Sequence, residues 1–148
     1  MGQQQLRRGR VSESGRIYLV TICTHQRQHH FTDFTQARIV VQTLNDPDIL
    51  CASRLLCWVL MPDHLHMLLQ TEQDTLPHII QRIKATSARR LNRYRNADGT
   101  VWQRGYHDRA IRQEADLLPA ARYIIANPKR AGLVHRTGQY PHWDAIWV

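Results

Sequence analysis

The chain is 148 residues long, 43% hydrophobic and carries a formal net charge of +8. That length suits one domain with a proper core, and no run approaches the ~18 apolar residues of a membrane span. A pI near 10.1 favours a polyanionic partner, most simply nucleic acid, over an anionic membrane surface.

Residues 1–15 read as a basic flexible arm and 16–148 as one domain. The arm has Arg7, Arg8 and Arg10 but no apolar stretch, so no secretory signal is expected. Leu6 stands where a myristoylation start needs Ser or Thr. Cys23, Cys51 and Cys57 are odd in number and lack CxxC spacing. They read as reduced, partly buried thiols of a cytoplasmic, nucleoid-associated protein.

Residues 16–24 are β-branched and apolar, a first strand. A polar loop over 25–30 precedes a short helix over 35–44, ended by Asn45-Asp46-Pro47. Residues 55–61 form a second strand. Met61-Pro62-Asp63 turns, and 64–70 returns antiparallel. Residues 76–95 read as a long helix with Ile80, Ile83, Ser87, Leu91 and Tyr94 on one face. Its other faces carry Arg82, Lys84, Arg89, Arg90, Arg93 and Arg95. Short strands are expected at 101–104 and 110–112. A last helix runs from an Asp116 cap to about Asn127, where Pro128 stops it. Trp143 and Trp147 read as packing against the domain. The whole is an α+β sandwich, with helices mostly on one sheet face and the other face free.

The strand over 64–70 begins His64-Leu65-His66. Alternate strand residues share a face, so the two imidazoles emerge together while Leu65, Met67 and Leu69 point into the core. Two imidazoles on a rigid strand are a ready pair of metal ligands; the plainer reading is two surface histidines. Tyr123 and Asn127 lie one turn apart on the last helix. Asn127 offers a neutral oxygen ligand. Two His and one Asn suit Mg2+ or Mn2+ completed by water and phosphate, more than a closed zinc site. Tyr123 would stand beside the metal as a nucleophile, although an ordinary phenol, with a pKa near ~10, is a poor one at neutral pH. On the helix alone, a core aromatic is the simpler reading of Tyr123, and a plain helix end that of Asn127.

Three segments in order, Trp58 to Leu69 around Met61-Pro62-Asp63-His64-Leu65-His66, Trp102 to Asp108, and Arg122 to Val134 around Tyr123 and Asn127-Pro128, resemble the IS200-like transposase superfamily. Within it the likeness is best to the REP-associated tyrosine transposases. The resemblance runs from about Tyr18 to the C-terminus. It implies a ferredoxin-like HUH nuclease fold with an antiparallel sheet. It implies that His64 and His66 are the HUH ligands, that Tyr123 is the nucleophile, and that Asn127 is the polar residue one turn on. It further implies single-strand cleavage and strand transfer through a 5′-phosphotyrosine, on a single-stranded REP-like DNA hairpin. The REP-associated group implies a monomer, with Tyr123 meeting its own histidines. Asp63 stands where Asn is frequent, and reads as a turn residue or as an acceptor for a histidine N–H. Ala126 replaces an Asn often found there.

Arg82, Lys84, Arg89, Arg90, Arg93, Arg104, Lys129 and Arg130 are the expected DNA-backbone contacts, with a solvated basic face as the plainer alternative. Trp102 reads as core, and His107 as a possible DNA contact outside the metal set. Three other readings stay open. One is a non-cleaving hairpin-binding protein. Another is a hydrolytic metal-dependent nuclease in which Tyr123 is structural. The third is a structural zinc protein, which lacks a fourth ligand and paired cysteines.

Overall fold

The computed structural model describes residues 15–147. In it the β-branched segment after Gly15 forms β1 (Arg16–Cys23). Two single 3-10 turns then lead into α1 (Phe34–Leu44). Asp33 caps α1 by accepting the Gln36 N–H at 3.1 Å. A one-turn helix, α2 (Pro47–Leu50), precedes β2 (Arg54–Met61) and β3 (His64–Thr71). Met61 pairs with His64, so Pro62 and Asp63 are the whole hairpin loop. Then come α3 (Leu76–Arg95), β4 (His107–Ile111), α4 (Leu117–Ile125), α5 (Asn127–Arg130) and β5 (Trp143–Ala145).

The sheet runs β4-β1-β3-β2-β5, each neighbouring pair antiparallel. The β1-α1-β2-β3-α3-β4 order across this sheet is the expected ferredoxin-like α+β arrangement, with β5 added outside β2. Val20, Leu65, Met67 and Leu69 face one way and pack with α1 and α3 through Val40, Ile80, Ile83 and Leu91. Leu68, Val59 and Met61 face the other way and pack with Ala120, Ala121 and Ile124 of α4. The sequence reading left the second face free; α4 instead covers part of it. A bulge at Leu56 shifts the register between Leu55 and Cys57, which lets adjacent Leu56 and Cys57 both enter the second core.

Several local expectations change. Residues 101–104 form no strand beyond a single bridge from Trp102 to Thr24. Trp102 is buried, its indole N–H donating to Ser87 Oγ at 2.9 Å. β4 begins earlier than expected, at His107. Pro128 does not end the last helix. The chain bends at Ala126 and resumes as α5, where a proline in the first turn loses no helical bond. Gly132, at φ 77°, then closes α5 with Gly132 N–H on Lys129 O and Leu133 N–H on Pro128 O. Tyr94 and Trp147 are exposed, and Cys51 is exposed while Cys57 is buried. The proposed arm, apart from Gly15, lies outside the described residues.

Candidate functional site

His64 and His66 stand on the α4 side of the sheet, as their alternation with Leu65 and Met67 requires. Their ring centroids are 4.6 Å apart and the planes cross at 80°. Each ring is held by its Nδ1. His64 Nδ1 donates to Asp63 Oδ1 at 2.7 Å, and Asp63 Oδ2 accepts from Arg27 Nε at 2.8 Å. A carboxylate only accepts, so the His64 proton sits on Nδ1 and the Nε2 lone pair is left for a ligand. Asp63 is thus the histidine's acceptor as well as a turn residue. His66 Nδ1 lies 2.8 Å from Thr21 Oγ1, its neighbour across β1 in the strand register. A hydroxyl can accept an Nδ1–H or donate to a bare Nδ1; where Thr21 accepts, His66 Nε2 is free for a ligand.

The electrostatics agree with this ligand set. Burial, aided by the positive charges of Arg130 and Arg27, lowers the His66 pKa to about 4, so its ring is neutral at neutral pH. Burial would raise the Asp63 pKa, but hydrogen bonds from Arg27 and His64 outweigh it and hold the carboxyl below its usual range. Arg27 reaches Asp63 from a turn in which both Gln26 (φ 55°) and Arg27 (φ 53°) are left-handed, a costly backbone for non-glycine residues.

Tyr123 lies near the C-terminal end of α4, 56% exposed, and the Arg130 guanidinium sits 4.0 Å from its ring centroid. α5 follows α4 directly through Ala126, which brings Arg130 back over Tyr123. Asn127 opens α5 half-buried, and its amide has no hydrogen-bond partner among the described residues. Among those residues no three His, Cys, Asp or Glu side chains converge on a metal site. A metal at the histidine pair would therefore need a neutral third ligand, and Asn127 fits that need.

The other expected contacts divide. α3 lies on the opposite sheet face from the histidines, and three of its cations are turned inward. Arg82 binds Ile49 O and Asp74, and Arg90 binds Thr43 and Asp46. Lys84 donates to Gln103 O and Gly105 O. Its two bonds brace the loop that presents exposed Arg104. Arg89 and Arg93 are exposed on α3. Lys129 and Arg130 alone of the set share the tyrosine's segment. Asp63 takes the histidine-acceptor role that was one of its two readings from sequence, whereas Thr21 and Arg27 complete the site without having been singled out. The one signal for Thr21 is a polar residue at the third-strand register of an apolar strand; nothing local marks Arg27.

Residues 13–127 match the family described as "Transposase IS200 like". The chain belongs to the IS200-like transposase family. The matched span of this family member contains His64, His66, Tyr123 and Asn127 and stops short of Lys129 and Arg130. A Haemophilus influenzae (strain Rd) protein, provisionally named a REP-associated tyrosine transposase, is 29% identical over 94 residues, 56% of this chain and 53% of that protein. The chain thus spans about half the length of this curated relative. The solved structure of a REP-associated tyrosine transposase bound to a REP hairpin superposes with a TM-score of 0.70 at 21% identity, covering 91% of this chain and 79% of that one. A provisionally named transposase from Deinococcus radiodurans R1 superposes with a TM-score of 0.53 at 22% identity, covering 78% and 93%. These likenesses place the fold. No helix among the described residues is long and apolar enough to cross a membrane.

Proposed function

We propose that this protein cuts and rejoins single-stranded DNA beside a REP-like hairpin, with Tyr123 as nucleophile. The observation that carries the reading is that α4, bearing Tyr123, packs on the same sheet face as His64 and His66 within one chain. That placement also supports a monomer acting with its own histidines. The REP-associated relatives supply the substrate class.

Tyr123 Oη attacks phosphorus and forms a phosphotyrosyl ester at the 5′ side. The P–O3′ bond breaks; the phenol proton passes to solvent through the exposed site, and solvent gives a proton to the leaving O3′, which becomes a 3′-hydroxyl. A 3′-hydroxyl of a second end then attacks the phosphotyrosine, restores a phosphodiester and returns Tyr123, so no ATP is needed. Mg2+ or Mn2+ on His64, His66 and Asn127 would neutralise charge on the phosphate in the transition state. Asp63 and Thr21 keep the imidazoles in the ligand-ready tautomer. Arg130 sets a positive charge beside the ring that becomes an ester. Lys129, Arg104 and the exposed Arg89 and Arg93 are proposed backbone contacts.

The test is an adduct assay with hairpin DNA drawn from the sequence flanking the gene. A denaturant-resistant protein–DNA band that needs Mg2+ or Mn2+, and is lost in Tyr123→Phe and His64→Ala, is expected. Cleavage that survives Tyr123→Phe would replace this reading with hydrolysis. Binding without adduct or cut product across several hairpins would replace it with a non-cleaving binder.

A further inference from the structure

The strand register extends the histidine site sideways. Thr21 pairs with His66 on one side and with His107 on the other. Antiparallel partners project to the same face, so His66, Thr21 and His107 form one row on the α4 side. Leu19, one row below, pairs with Leu68 and with Arg109, which puts Arg109 on that face too. Strands lie ~4.8 Å apart, so His107 is rooted about 10 Å from His66. The lower rows of this face are closed by α4, since Ile17, Ile111 and Leu117 pack into its core. At the upper rows His107 and Arg109 are exposed.

We propose that the site-facing residues of edge strand β4, Arg109 with His107, form a track that holds the backbone of the single strand as it leaves the histidine site. This rests on the function proposed above and adds a surface to it. A charged edge strand also guards against strand pairing, but that role is indifferent to face. Here the signs alternate. His107 and Arg109 point to the site face, and Asp108, paired with Val20, points to the α3 face. Guanidinium and imidazole N–H groups suit phosphate oxygens, and a carboxylate on the same side would repel them.

The experiment is fluorescence anisotropy with a labelled hairpin oligonucleotide carrying a single-stranded extension from the gene's flanks, at several salt concentrations, with Mn2+ binding measured in parallel. Arg109→Ala is expected to weaken binding about five- to tenfold, and to lower the log–log salt slope by about 0.7. His107→Ala weakens binding less. Asp108→Ala leaves affinity unchanged, and all three bind Mn2+ like the wild type. Methylphosphonates placed singly along the extension should locate a phosphate whose neutralisation weakens the wild type but not Arg109→Ala. Unchanged affinity and salt slope in both Arg109→Ala and His107→Ala would overturn the track. So would a loss in Arg109→Ala that no methylphosphonate reproduces. If the wild type forms the adduct while Arg109→Ala is silent, the track alone fails; if the wild type neither binds nor reacts with any hairpin, the proposed function falls and the track with it.

Discussion

Thr21→Val tests whether a residue far from the histidines in sequence sets their chemistry. The substitution keeps the β-branched shape and removes the hydroxyl 2.8 Å from His66 Nδ1. Losing one neutral hydrogen bond costs ~1 kcal/mol, or roughly 2–4 °C in Tm for a domain of this size. The larger effect is on the ligand. Without an acceptor at Nδ1, His66 is free to take the tautomer with its proton on Nε2, the nitrogen that would bind metal. Loss of such an orienting contact typically lowers metal affinity about 10–100-fold, equivalent to ~1.4–2.8 kcal/mol. Mn2+ titration and thermal unfolding with and without metal separate the two. The Tm gap between variant and wild type should widen when metal is added, because the metal stabilises the wild type more. Thr21→Ser should restore affinity. A Thr21→Val protein that unfolds earlier yet binds Mn2+ like the wild type would reduce Thr21 to a packing residue and refute the reasoning.

Three further outcomes are expected. Ser87→Ala strands the buried Trp102 indole N–H and should cost about 1–3 kcal/mol, read by urea unfolding; a loss within error of zero would mean the indole finds another acceptor. Iodoacetamide should label exposed Cys51 in the native protein and spare Cys57, which is buried and pushed up to about 12 mainly by that burial; equal labelling would contradict the closed second core. Metal-free stability should fall as pH drops from about 6.5 toward about 4. Burial lowers the pKa values of His30, His66 and His142, so in that window the unfolded chain binds protons that the fold refuses. This stability is fully present above the unfolded value near ~6.5 and is lost on acidification. A Tm flat between these limits would be inconsistent with three imidazoles whose charged form the fold disfavours, and His66→Gln should shallow the fall.

Features with a local cause were legible in the chain. α3 runs from Leu76 to Arg95 as its periodicity predicts, because a 3.6-residue repeat, a Thr75 cap and a terminal Asn96 all lie within the segment. The hairpin around Pro62 and Asp63 was legible for the same reason. β5 was not. Its three residues are too few for a repeat, and they form a strand only because the outer edge of β2 is there to pair with them. The basic face of α3 looked uniform, yet Arg82, Lys84 and Arg90 have partners 8 to 47 residues away, which no window on the helix contains.

The residues alone determined that two histidines share one face of a strand, since the strand period is a property of the backbone; the single helix expected to carry both Tyr123 and Asn127 is instead two, α4 and α5, divided at Ala126. Only the tertiary structure decided that α4 lies over the histidines' face, that Thr21 and Asp63 orient the two imidazoles, and that Arg130 returns to Tyr123. Those contacts depend on strand register, on a left-handed turn at Gln26 and Arg27, and on the succession of α4 and α5. Each is fixed by which surfaces bury together once the whole chain has folded.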